Sequence, residues 1–105
     1  MTLTATFSAL SDPTRRAILD QLGRGPASVS DLAKPHPMSL PAVTKHLGVL
    51  EAAGLVVRRK TGRTVMCTLN PRPIAEAASW LTDRESFWTA SLDRLESLIT
   101  KENPT

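Results

Sequence analysis

Residues 39–63, SLPAVTKHLGVLEAAGLVVRRKTGR, decide the fold of this chain. Val43, Leu47 and Leu50 recur at helical spacing and form one apolar stripe. Gly54 follows as a helix-ending residue, because glycine adopts a positive φ without a Cβ clash. After it, a short apolar run leads into a turn rich in arginine and lysine. The stretch therefore predicts an amphipathic helix that stops at the glycine, followed by a positively charged β-hairpin.

Upstream of this stretch, the sequence predicts three short helices and a short strand. Asp12-Pro13 indicates a helix start, because aspartate is a common N-cap residue and proline is tolerated at the first helical position. The N–H that proline lacks would have no partner within the helix at that position. Ser39 is the predicted cap of the helix in the deciding stretch, and Pro41 lies in its first turn. The other upstream elements are a first helix carrying Leu3, Phe7 and Leu10, a strand over Ala27-Ser28-Val29, and a third helix capped by Ser30.

Downstream, the sequence predicts a hairpin and a helical terminus. The two arms of the hairpin are Val56 to Arg59 and Thr64 to Leu69. The second arm alternates apolar and polar residues as a strand does. Asn70 to Pro73 is predicted to be a linker, with helix from Ile74 onward. Thr82 to Glu85 fits a capping box, which leaves open one bent helix or two. The fold class is mainly α with a small β-hairpin wing: a single winged helix-turn-helix domain.

Positive charge is concentrated on the predicted helix and wing. Residues 32–75 contain seven lysines and arginines against one acidic residue, a net charge of +6, whereas residues 76–105 carry a net charge of −3. Phosphate contacts supply most sequence-independent DNA affinity and require such a patch. The pattern favours binding to double-stranded DNA. A winged-helix module that binds another protein is the alternative, although such a module has no need of this charge.

The exposed face of the predicted helix and the basic wing contain the candidate DNA contacts. His46 has two interpretations, a DNA contact or a half-buried residue beside Val43 and Leu50. On the wing, alternation allows only some of the basic side chains to face DNA, and Arg59 and Arg63 are the leading pair. The full set of predicted DNA-binding residues is Ser39, Leu40, Pro41, Thr44, Lys45, His46, Arg58, Arg59, Lys60 and Arg63.

An apolar seam near the C-terminus predicts self-association. The seam consists of Trp88, Leu92, Leu95 and Ile99, which repeat at spacings of 4, 3 and 4. A monomer of this size has no evident way to cover these side chains. The interpretation is one domain over residues 1–105 whose N- and C-terminal helices form a homodimer. The predicted interface residues are Leu3, Phe7, Trp88, Leu92, Leu95 and Ile99.

Composition narrows the remaining function classes. The chain has 105 residues, 41% of them hydrophobic and 22% charged, which is ordinary for one globular domain. Its one cysteine, Cys67, permits no intrachain disulfide, so we expect a cytoplasmic protein. No histidine–carboxylate pairing suggests an activated nucleophile and no glycine-rich phosphate loop is present, so the sequence predicts no enzymatic activity.

The ordered segments DPTRRAILDQL, SVSDLA and MSLPAVTKHLGVLEAAGLVVRRKTGR, with terminal helices after them, resemble the arsenical-repressor (ArsR) family of bacterial winged-helix regulators. The resemblance extends from about residue 7 to residue 98. It implies a homodimer whose paired recognition helices enter successive major grooves of a pseudo-palindromic operator. It also implies repression that an effector usually relieves.

The sequence departs from the metal-sensing members of that family. One family metal site uses a cysteine pair before the recognition helix, where this chain has residues 30–36 without cysteine. Another uses histidine and acidic ligands on the last helix, and residues 74–105 contain no histidine. Transition metals need such ligands, so no metal and no cofactor are predicted. Trp80, Phe87 and Trp88 are candidates for a small-molecule effector pocket, although core or subunit interface is the commoner role, and the effector is unknown.

Overall fold

The computed structural model describes residues 2–102, with side chains up to residue 100. Within these described residues, five helices and three strands follow one another in a winged helix-turn-helix arrangement. Their bounds are α1 (Leu3–Leu10), α2 (Pro13–Gly23), β1 (Ala27–Ser28), α3 (Val29–Ala33), α4 (Leu40–Ala52), β2 (Val56–Thr61), β3 (Thr64–Leu69) and α5 (Arg72–Glu102). The predicted fold class is confirmed.

Two of the predicted caps begin the helices as expected. Asp12 Oδ2 accepts a hydrogen bond from the backbone N–H of Arg15 at 3.0 Å, and Pro13 occupies the first turn of α2. Ser39 Oγ accepts from the N–H of Ala42 at 3.3 Å at the start of α4. At the other end of α4, Gly54 has φ of 78°, so the helix stops where the sequence predicted.

The predicted cap of the third helix is wrong. The cap of α3 is Ser28, whose Oγ accepts from the backbone N–H of Asp31 at 3.1 Å, and Ser30 lies inside the helix. The reason is a long-range strand pairing, in which Ala27 lies opposite Cys67 and Ser28 opposite Met66. Pairing with β3 holds Ser28 in an extended conformation, and the helix begins immediately after it.

The three strands form one antiparallel sheet in the order β1-β3-β2. The second arm of the wing has the predicted bounds, whereas the first arm extends to Thr61, two residues beyond the prediction. Cross-strand partners run from Val56 opposite Leu69 to Thr61 opposite Thr64. Gly62 closes the hairpin with φ of 62°, a conformation that favours glycine.

The core lies between α2, α3, α4 and one face of the sheet. The predicted stripe of α4 is fully buried, and Cys67 of β3 is buried with it. Burial raises the pKa of the Cys67 thiol, as expected for a small core residue. The largest wholly buried side chains are Ile18, Leu32, Val43, Leu47, Leu50 and Leu55.

The C-terminal segment is one continuous helix. α5 starts at Arg72, so the predicted linker ends at Pro71, and Pro73 lies within the first helical turn. The Thr82 to Glu85 segment is helix interior, so the prediction of a capping box there is wrong. From residue 78 to residue 100 almost every side chain is exposed, and the molecule is 72 Å long. Within residues 2–102, no helix has the length and apolar character needed to cross a membrane.

Candidate nucleic-acid interface

Helix α4 buries one face and presents another to solvent. Val43, Leu47 and Leu50 have no exposed surface, because they pack against α2, α3 and the sheet. The opposite face is exposed and contains no carboxylate between residues 39 and 50, so it is compatible with a polyanion. The predicted contacts on this exposed face are Ser39, Leu40, Pro41, Thr44 and Lys45.

An ion pair connects one flank of α4 to the wing. Arg58 Nη2 donates a hydrogen bond to Glu51 Oε1 at 2.9 Å. This bond holds the pKa of Glu51 below its usual range and raises that of Arg58. Gly48 lies beside the guanidinium, and a Cβ there would be in ordinary van der Waals contact with Arg58 Nη2 at 3.9 Å. Arg58 is one of the predicted DNA-binding residues, and its side chain is already paired with Glu51 within the protein.

The tip of the wing lies beside the start of α4. Arg63 lines a groove together with Leu40 and Thr44, so the structure brings these predicted contacts to one surface. Arg59 lies with Val57 and Met66 on the outer face of the hairpin. The predicted leading pair, Arg59 and Arg63, therefore occupies two sides of the wing.

The other flank of α4 contacts the start of α2 through His46. Its Nδ1 lies 3.3 Å from Arg15 Nη1 and 3.8 Å from Asp12 Oδ2. The side chain is 21% exposed, so the half-buried position that the sequence left open is the observed one. The pKa of Asp12 is lowered, first by the N–H of Arg15 and also by His46. Sequence patterns did not single out Arg15, because this contact spans 31 residues.

Comparison with known proteins agrees with this geometry. The family model of a helix-turn-helix domain matches residues 10–59. The HTH-type transcriptional regulator Rv2034 of Mycobacterium tuberculosis is 42% identical over 96 residues, which is 91% of this chain and 87% of the relative. The transcriptional repressor SdpR of Bacillus subtilis is 33% identical over 75 residues, 71% of this chain and 83% of that protein.

A solved structure shows the same family and fold. The crystal structure of an ArsR family transcriptional regulator superposes with a TM-score of 0.79 and 44% identity, and covers 83% of this chain and 96% of its own. The chain belongs to the ArsR family. It is a DNA-binding transcriptional regulator and not an enzyme.

In this ArsR-family regulator the predicted dimer residues of α5 form an exposed apolar stripe, whereas Leu3 of α1 is half-buried. Phe7 of α1 packs against Trp80 of α5 with ring centroids 6.0 Å apart, whereas Phe87 and Trp88 pack against each other at 5.8 Å. Trp80 also lies under the guanidinium of Arg84. More than half of each seam side chain is exposed on the single chain: Trp88, Leu92, Leu95 and Ile99.

The two histidines and the cysteine each lie in a different environment. His36 Nε2 lies 2.8 Å from Gln21 Oε1, His46 contacts Arg15, and the Cys67 thiol is buried under the sheet. These three side chains lie on separate elements. In the part of the chain that the structure describes, histidine, cysteine and carboxylate side chains form no group of three or more able to hold a metal ion.

Proposed function

We propose that this regulator is a homodimeric repressor that binds a pseudo-palindromic operator. In each half-site, α4 enters the major groove and the wing contacts the backbone or the adjacent minor groove. The proposed contacts are Ser39, Leu40, Pro41, Thr44, Lys45 and His46 of α4 and its cap, with Arg58, Arg59, Lys60 and Arg63 of the wing.

The observation that carries the proposal is the position of the wing tip beside the recognition helix. Arg63 shares a groove with Thr44, so a cation that can contact phosphate lies next to a side chain that can contact a base. Recognition of operator DNA needs both kinds of contact at one surface, because phosphate contacts position the protein and base contacts specify the sequence. A module that only binds other proteins needs neither.

Dimerisation is supported by the exposed seam on α5. Trp88 and Leu92 are each 62% exposed, and Leu95 and Ile99 are exposed by more than half. Contiguous apolar surface of this kind indicates a protein interface. A second copy supplies the same seam and covers both, as in a two-fold interface. We assign Leu3 and Phe7 of α1 to the edge of this interface.

The direction of regulation is inferred from the relatives. SdpR is named as a transcriptional repressor, and a repressor needs only to occupy DNA that a polymerase must use. A DNA target and the buried Cys67 thiol also support a place in the cytoplasm. We assign no metal or other cofactor, and a small-molecule effector stays unassigned.

Selection of bound sequences from a random duplex pool tests the proposal. We expect enriched sites with two inverted half-sites whose centres are about 10 base pairs apart, or a multiple of that. The double variant Thr44→Ala/Lys45→Ala should lose the enrichment, whereas Thr82→Ala/Arg94→Ala on α5 should keep it. No enrichment by the wild-type protein, or enrichment that the first variant retains, would overturn the assignment.

A further inference from the structure

We propose that Arg15 is a positioning residue that holds His46 in the tautomer whose Nε2–H donates to a DNA phosphate. This inference rests on the proposed function, since it assumes that α4 enters the groove of a duplex. It assigns a role to an arginine outside the recognition helix and the wing. It also specifies which nitrogen of His46 faces the DNA.

Three hydrogen bonds fix the guanidinium of Arg15. Its Nε donates to the carbonyl of Ala9 at 2.7 Å and its Nη2 to the carbonyl of Ser8 at 3.1 Å. The last carbonyls of a helix lack partners within the helix, so these bonds cap α1. The remaining Nη1 points to His46 Nδ1 at 3.3 Å. One side chain thus connects the end of α1 to the recognition helix.

This geometry determines the tautomer of the imidazole. A guanidinium has only donors, so the atom that meets Nη1 must be an acceptor. Nδ1 therefore carries the lone pair and Nε2 carries the hydrogen. Asp12 Oδ2 is the other charged group near the ring, but its 3.8 Å distance from Nδ1 exceeds a hydrogen bond. That oxygen already accepts the backbone N–H of Arg15 at 3.0 Å.

The Nε2–H of His46 is free to meet DNA. Within residues 2–100 this nitrogen makes no hydrogen bond, and no buried polar side-chain atom there lacks a partner. Nε2 therefore reaches solvent. His46 lies on the flank of α4 beside the exposed Lys45, and not at the centre of the exposed face. The flank of a helix in the major groove faces the sugar–phosphate wall, so the expected acceptor is a phosphate oxygen.

Ring-nitrogen NMR of the DNA-free protein tests the tautomer directly. The chain has only two histidines, so His36→Asn assigns the His46 signals. We expect Nδ1 of wild-type His46 to be unprotonated and Nε2 protonated, and Arg15→Met to shift the ring towards a mixture. Arg16→Met is the matched control, because Arg16 caps α1 through Leu10 at 2.7 Å without a bond to His46. Protonated Nδ1 in the wild type, or an equal shift in both variants, would overturn the proposal.

A double-mutant cycle tests whether Arg15 acts through His46. His46→Asn retains an acceptor near Nδ1 but loses the outward donor, and we expect about tenfold weaker binding to a selected duplex. His46→Gln places an amide donor near Nε2 and should bind close to wild type. Arg15→Met should weaken binding in the wild-type background and add little in His46→Asn. Additive losses, or wild-type binding by His46→Asn, would contradict the role.

Salt dependence and a second duplex identify the group on DNA. A neutral donor releases no counterion, so His46→Asn should weaken binding without changing the slope of log K against log salt. A slope reduced by about 0.9 would mean a charged imidazolium and would overturn the tautomer assignment. If His46→Asn loses affinity equally for selected and unrelated duplexes, the contact is to a phosphate. A loss confined to the selected duplex would refute the phosphate contact. Failure of the wild type to select any duplex would refute the proposed function, and the NMR result would still decide the contact with Arg15.

Discussion

Arg58 Nη2 and Glu51 Oε1 lie 2.9 Å apart and join the wing to the last turn of the recognition helix. The pair is partly exposed, with 25% of the Arg58 side chain and 42% of the Glu51 side chain accessible. Solvent therefore screens the attraction between the two side chains. His46 and Arg15 hold the other flank of the same helix. The recognition helix is thus fixed on both sides by side-chain contacts.

Glu51→Gln should lower stability slightly at neutral pH, by less than about 1 kcal/mol, since exposed ion pairs contribute little. Because the folded pKa of Glu51 is lowered by Arg58, the contribution is fully present above about pH 4.3 and is lost as pH falls further. Urea unfolding of wild type and variant should therefore differ at pH 7 and converge in acid. Glu85→Gln on α5 is the control. A difference that persists unchanged in acid would contradict this assignment.

Thr44→Ala should change sequence preference more than it changes general affinity for DNA. A side chain that contacts a base edge contributes about 1–3 kcal/mol of discrimination. The measurement is competition between selected and unrelated duplexes, with Thr68→Ala on the outer face of the wing as control. Equal loss for both duplexes would mean that Thr44 contacts no base.

Arg59→Ala and Arg63→Ala should each lower the salt slope of binding by about 0.9, which is the effect of one lost phosphate contact. Arg63 shares a groove with Thr44, so Arg63→Ala should also weaken sequence preference. Arg59→Ala should leave sequence preference unchanged. Arg94→Ala on α5 serves as control. Slopes that stay at the wild-type value in both variants would show that the wing does not contact the backbone.

Leu92→Glu/Leu95→Glu should give a monomer, because two carboxylates would be buried at the seam. Ser86→Glu/Ser97→Glu adds the same charge on the opposite face of α5 and should remain dimeric. Sedimentation at micromolar concentration distinguishes the two outcomes, and operator binding should weaken only in the first variant. A wild-type monomer under these conditions would remove the basis for paired half-sites.

Zinc should not bind tightly to the reduced protein. The three candidate ligands lie on separate elements. His36 pairs with a glutamine, His46 contacts an arginine, and Cys67 is buried in the core. Isothermal titration with zinc, alongside operator binding with and without metal, measures this. A stoichiometric submicromolar site that weakens DNA binding would require these ligands to rearrange. Coupling of about 1–3 kcal/mol between the two sites would be typical in that case.

The sequence by itself determined the features that depend on neighbouring residues. Asp12-Pro13, Ser39 and Gly54 mark helix ends through local backbone chemistry, and the stripe of Val43 and Leu50 follows from helical period alone. The charge map depends only on where the charged residues lie along the chain. The ArsR assignment followed because these local signals occur in a fixed order.

Only the tertiary structure decided the features that join distant residues. Ser28 replaces Ser30 as a cap because β1 pairs with β3, almost 40 residues further along the chain. α5 runs through the Thr82 segment as one helix, so the capping-box motif there does not start a new helix. The Arg15–His46 contact, 31 residues apart, leaves no periodic trace in the sequence. Such contacts arise when packing brings flexible polar side chains together, so local propensity does not encode them.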